Sequence, residues 1–224
     1  MGTDTLQANL QTLHTRIATA CTRVGRDPST VELLPVTKGH GAEKIRELYK
    51  LGFRRFGENY VQEMEQKARE LAELRDIHWV FLGRVQSNKI KNLVMVCNEV
   101  QALESLSHAT YLSKGAKGPF RVYISANCGL EAHKTGIPLA EVEAFARELQ
   151  VYPQLEVQGI FAIPPEQLDP TVRQDLYAQL ATLAGKIGKG RLSLGMSQDL
   201  EAAIEAGSTL VRVGTALLGH REGK

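Results

Sequence analysis

Neither sign of charge prevails in this chain: 27 lysines and arginines against 25 aspartates and glutamates leave a formal net charge of +2. The concentrated positive field of a dedicated nucleic-acid binder is missing, so a polyanionic partner is not expected. The polar, basic segment GRVQSNKIKN at 83–92 has no interleaved aromatic residues on which bases would stack. Long apolar runs are missing too. None approaches the ~20 residues that cross a bilayer, and the opening MGTDTLQANLQTLHTRI holds no signal-peptide core. No membrane association is expected, and a cytoplasmic location is. Cysteine is scarce: Cys21, Cys97 and Cys128 are odd in number, far apart and without Cys-x-x-Cys spacing. That argues against a disulfide framework or a zinc site and for buried thiols in a reducing compartment. The six histidines show neither HExxH nor paired ligand spacing, so no metal site is expected, and His78 beside Trp79 reads as a packed strand residue.

What remains is an ordinary globular composition, 43% hydrophobic and 23% charged over 224 residues, enough for a real core without metal or disulfide support. No Gly/Ser-rich linker divides it, so residues 1–224 read as a single domain. Leu6, Leu10, Leu13, Ile17, Ala20 and Val24 recur at helical spacing up to Gly25, which predicts an extra N-terminal helix. Strands and helices then alternate. Strands are expected at 31–38, 53–59, 78–83, 94–103, 119–128, 155–163, 191–196 and 209–214. Helices are expected at 42–51, 61–75, 87–93, 104–114, from Pro138 in the first turn to Leu149, at 170–186 and at 199–206. Eight strands with intervening helices are the element count of a (β/α)8 TIM barrel, an α/β fold, with a doubly wound open sheet as the alternative.

In such a barrel chemistry sits at the C-terminal strand ends. Lys38 ends VELLPVTK, where burial would lower its pKa and favour the neutral amine that a Schiff base requires; a solvated loop lysine is the plainer alternative. The loops GMS (195–197) and VGT (213–215) each precede a helix and combine small residues with hydroxyls, a phosphate cradle of Ser197, Gly214 and Thr215. Alternatively, Ser197 only caps its helix and Gly214 only turns the chain. Arg212, inside an apolar strand, must find an acceptor; a salt bridge to Glu58 competes with a bond to a ligand. Asn59, Arg84 and Asn127 stand at the remaining strand ends.

The blocks PVTK (35–38), GENYVQE (57–63), FLGRVQSNK (81–89) and LSLGMSQDLEAAIEAGSTLVRVGTALLG (192–219) resemble the pyridoxal 5'-phosphate homeostasis proteins, the YggS/PROSC family, related to the N-terminal barrel of alanine racemase. The resemblance implies a fold-type III barrel binding pyridoxal 5'-phosphate (PLP) as a covalent aldimine to Lys38. It implies phosphate contacts from Ser197, Gly214 and Thr215, Arg212 facing the pyridine nitrogen, and Asn59 lining the pocket. Two departures affect the pocket rim: Arg84 stands where the family commonly has histidine, and the sixth strand ends in AIPP (162–165).

A protonated guanidinium donates to the ring nitrogen and leaves it unprotonated, which weakens the ring as an electron sink. Racemisation also needs a second acid/base across the α-carbon. In alanine racemase the resemblance implies a tyrosine from a separate C-terminal domain, and a chain ending at Lys224 leaves no room for one. The expectation is therefore a non-catalytic PLP-binding protein of intracellular PLP homeostasis. It would store, buffer or deliver the cofactor to PLP-dependent apoenzymes, and would act as a monomer. The rivals are a PLP-dependent amino-acid racemase and a cofactor-free Schiff-base aldolase working through Lys38 on a sugar phosphate.

Overall fold

The computed structural model describes residues 3–129 and 136–219. Its eight principal strands are β1 (Glu32–Pro35), β2 (Arg55–Glu58), β3 (His78–Phe81), β4 (Glu99–Leu103), β5 (Phe120–Asn127), β6 (Leu155–Ala162), β7 (Arg191–Ser193) and β8 (Leu210–Val213). All pair in parallel, β1 with β8 and then in descending order down to β2. A bridge between Val36 and Gly57, with Thr37 N–H donating to Gly57 O at 2.9 Å, joins β1 to β2. The sheet thereby forms a nearly closed barrel, and the open-sheet alternative is excluded.

The helices are α1 (Thr3–Arg23), α2 (Ala42–Lys50), α3 (Val61–Glu70), α4 (Ile90–Val96), α5 (Leu106–Gly115), α6 (Val142–Glu148), α7 (Pro170–Ala184), α8 (Leu200–Glu205) and α9 (Thr215–Leu218). Strand residues alternate between two apolar regions because successive side chains point to opposite faces. Leu34, Val36, Val80, Leu82, Tyr123, Phe161 and Leu210 fill the barrel interior, while a larger core packs the strands against the helices. The N-terminal helix α1 lies on α8 and α9: the Arg16 guanidinium pairs with Glu201 at 2.6 Å and donates to Ser197 O at 2.9 Å, and Asn9 Nδ2 donates to Leu217 O at 3.0 Å. It braces the GMS loop and the helix that follows the VGT loop.

Several expected boundaries are corrected. Residues 94–96 belong to α4, not to the fourth strand. Buried Ile90 and Leu93 set a helical face while Met95 stays exposed, so packing of that face overrides the β-branched propensity. The strand starts only after Asn98, whose backbone and side chain pair with both backbone groups of Trp79 at 2.9 Å. The helix expected at 61–75 stops at Glu70, where Leu71 turns into the core. Pro138 lies outside α6, in a two-residue strand Ile137–Pro138 at the edge of β5, a place that tolerates its missing N–H. His78 is exposed at the start of β3 rather than packed. Cys21 and Cys97 are buried, but Cys128 is half-buried at the barrel mouth. No helix of the described residues is long and apolar enough to cross a membrane.

Candidate functional site

A cavity of about 420 Å³ opens at the C-terminal end of the strands, within the usual range for small-molecule sites. Lys38, Asn59, Ser197, Arg212, Gly214 and Thr215, taken from four different strand ends, all line it. The sequence was silent on others that do so: His40, Glu166, Arg173, Tyr177 and Asp199. Most of these sit on helices or in the middle of loops, where no strand-end rule points. Arg84 and Asn127 line a neighbouring recess instead, with Arg84 exposed and 3.3 Å from Glu104. The AIPP segment forms one wall through Ile163, Pro164 and Pro165.

The Arg212–Glu58 salt bridge, the alternative to a ligand bond, is not formed among the described residues. Period-two alternation sends the two side chains to opposite faces of the barrel wall: Glu58 meets Lys67 of α3 at 2.6 Å, outside the barrel, whereas Arg212 points inward. Arg212 is 4% exposed. It donates to Ser193 O at 2.7 Å, Ser193 Oγ at 2.8 Å and Ala162 O at 2.9 Å, and its guanidinium carbon lies 4.5 Å from the Phe161 ring centroid. Ser193 in turn donates to Gln101, which donates to Glu99, which accepts from Arg55. This line of interior polar contacts fixes the rotamer of Arg212 from behind. Burial pushes its pKa down to about 10, which leaves a cation at neutral pH. Its Nε–H has no partner among the described residues, an unused donor on a group that faces the cavity.

The two hydroxyl-bearing loops meet. Ser197 Oγ accepts from Ala216 N–H at 3.4 Å, a long bond that a better acceptor or donor would displace. Ser197 does not cap α8; Asp199 occupies the N-cap position. Asp199 accepts from Met196 N–H at 2.7 Å and from the Tyr177 hydroxyl at 2.5 Å, and burial and this bond push the Tyr177 pKa up. Asn59 Oδ1 is buried without a partner among the described residues. Among the described residues no group of three or more histidine, cysteine or carboxylate side chains could hold a metal ion.

An inward lysine, paired hydroxyl loops and a buried arginine at one barrel mouth define a class, and residues 4–222 match the alanine racemase N-terminal domain family. Alanine racemase from Clostridium difficile superposes with a TM-score of 0.72 over 99% of this chain and 58% of that one, at 16% identity, a likeness of fold. Within that class the chain belongs to the pyridoxal phosphate homeostasis protein family. It is 38% identical over 223 residues to the member from Pseudomonas aeruginosa, covering 97% of this chain and 96% of the relative. The structure of PipY from Synechococcus elongatus with PLP bound superposes with a TM-score of 0.79 at 33% identity, covering 92% of this chain and 99% of that one.

Proposed function

We propose that residues 1–224 form one cytosolic, monomeric PLP-binding domain that stores, buffers or hands over the cofactor without efficient catalysis, PLP-dependent apoenzymes being the recipients. The observation that carries this reading is the convergence of Lys38, Arg212, Ser197, Gly214 and Thr215 on one cavity, in a family whose relatives carry the homeostasis name. The residues present fit the group. The unused Nε–H of Arg212 suits a ring nitrogen, the Ser197 and Thr215 hydroxyls with the adjoining backbone suit a phosphate, and Lys38 offers a primary amine. When bound, PLP supplies an aldehyde that condenses with a primary amine. Lys38 provides that amine and so makes the attachment covalent. Arg212, a cation at pH 7, can only donate to the ring nitrogen, which disfavours carbanion chemistry. The exposed large apolar side chains Val24, Tyr60, Met95, Tyr111, Val151 and Val172 belong to different segments of the chain, while Ile163 and Met196 stand together at the cavity mouth, in keeping with a monomer. The three unpaired cysteines suit a reducing cytosol.

Two measurements test this reading. Each hydroxyl bond to a bound phosphate is worth roughly 1.5–3 kcal/mol, so Ser197→Ala and Thr215→Ala should each weaken PLP retention by about tenfold or more, while dephosphorylated pyridoxal binds parent and variants equally poorly. A parent that prefers pyridoxal to its phosphate defeats the cradle. Incubation of the loaded protein with L-alanine in heavy water should give no enzyme-like incorporation of deuterium at the α-carbon. Incorporation together with D-alanine, both lost in Lys38→Ala, would promote the racemase reading.

A further inference from the structure

The block GENYVQEMEQK at 57–67 contributes only Asn59 to the cavity, yet three of its charged residues make the most enclosed ionic cluster among the described residues. Glu58 ends β2, and Glu63 and Lys67 stand one turn apart on α3, with Lys67 only 4% exposed and Glu58 fully buried. Lys67 Nζ donates to Glu58 Oε1 at 2.6 Å, Glu63 Oε1 at 2.7 Å and Thr37 O at 2.7 Å, which uses all three of its protons. Glu63 Oε1 also accepts from Gly39 N–H at 2.6 Å, and Glu58 Oε1 accepts from the Thr37 hydroxyl at 2.5 Å. Thr37 and Gly39 are the two neighbours of Lys38. The cluster therefore grips the backbone on both sides of the one residue that carries the amine.

As a stability device this arrangement is poor. Two carboxylates share one ammonium, Glu58 Oε2 has no partner among the described residues, and burial pushes the Glu58 pKa up. Apolar residues of similar volume would hold β2 against α3 at least as well. What they could not do is bind the buried backbone carbonyl of Thr37 and, through Glu63, the backbone N–H of exposed Gly39 in the βα loop.

We propose that Lys67 is a positioning residue that, with Glu58 and Glu63, locks the loop 37–39 so that the Lys38 amine is held toward the cavity. The proposal rests on the reading that Lys38 bonds the cofactor aldehyde. Its test has one arm that needs no cofactor. In unliganded Lys67→Met, amide hydrogen exchange at residues 37–40 should rise by about tenfold or more. With PLP added, formation of the borohydride-stable adduct should slow by about tenfold or more, while pyridoxine 5'-phosphate, which lacks the aldehyde, should bind within about twofold of the parent. Glu63→Gln, a partly exposed position that keeps an acceptor for Gly39, should move both readouts in the same direction by less. It decides the matter should Lys67→Met fail to fold. Parental exchange and parental adduct rates in the folded variants would overturn the proposal, as would an equal loss of pyridoxine 5'-phosphate binding. If the parent forms no adduct on Lys38, the cofactor reading fails, and exchange at residues 37–40 alone upholds or overturns the clamp.

Discussion

Lys38→Ala protein incubated with PLP and then borohydride is expected to retain no reduced adduct in the cavity, where the parent is labelled stoichiometrically. Lys38 is the one primary amine among the cavity-lining residues described. The other cations there, Arg173 and Arg212, are guanidiniums and do not form stable Schiff bases with aldehydes. Lys67 is close in space but has all three protons engaged by acceptors. Lys89 lies on a 3-10 turn outside the cavity, and Lys134 lies outside the described residues. Peptide mapping of the reduced parent checks the assignment. A principal adduct on Lys89 or Lys134 would sink it. The variant should still bind PLP non-covalently, because Arg212 and the Ser197 and Thr215 loops are untouched. Loss of the covalent fraction with retention of weak binding is the expected signature.

The barrel was legible because parallel strands buried on both faces announce themselves as short apolar runs, and eight of them alternate with helices. The strand-end rule then picked out Lys38, Asn59, Ser197, Arg212, Gly214 and Thr215, which the cavity gathers, and also Arg84 and Asn127, which line the neighbouring recess instead. Where the reading failed, the deciding force was not local. Val94, Met95 and Val96 look like strand residues, and only the packing of Ile90 and Leu93 makes them helical. Glu58 was offered to Arg212 because both are charged and both stand at strand ends. Which face of the wall each side chain takes depends on register, and the register is visible only once Val36 is seen to pair with Gly57. Tyr177 and Asp199 were missed for a related reason. They come from α7 and from the residue before α8, and their 2.5 Å bond across the mouth exists only after both elements have docked.

A second large effect should come from a residue that touches no ligand. Gly159→Ala is expected to destabilise the fold by more than about 3 kcal/mol and to release PLP as a consequence. Between Val122 and Tyr123 of β5 the partner strand β6 advances from Val157 to Gly159, so Gln158 is an extra residue in the ladder, a bulge. Gly159 follows it with φ of +155°, and a β-carbon there would stand 1.8 Å from Arg191 O and 2.8 Å from Arg191 N. Both are backbone atoms of β7, so no side chain can rotate away to relieve the clash. Gly25 makes the control. Its φ is +64°, but no atom lies within 4 Å of a β-carbon built there, so Gly25→Ala carries only the conformational cost of about 1–2 kcal/mol. Prising β6 from β7 also reaches the site, since Ala162 O at the end of β6 and Ser193 at the end of β7 are the acceptors that hold Arg212. Thermal melts of the two variants, with and without PLP, check this. Gly159→Ala should melt well below Gly25→Ala and gain little from added cofactor, and equal melting temperatures would show that the β6–β7 contact yields more readily than its geometry implies.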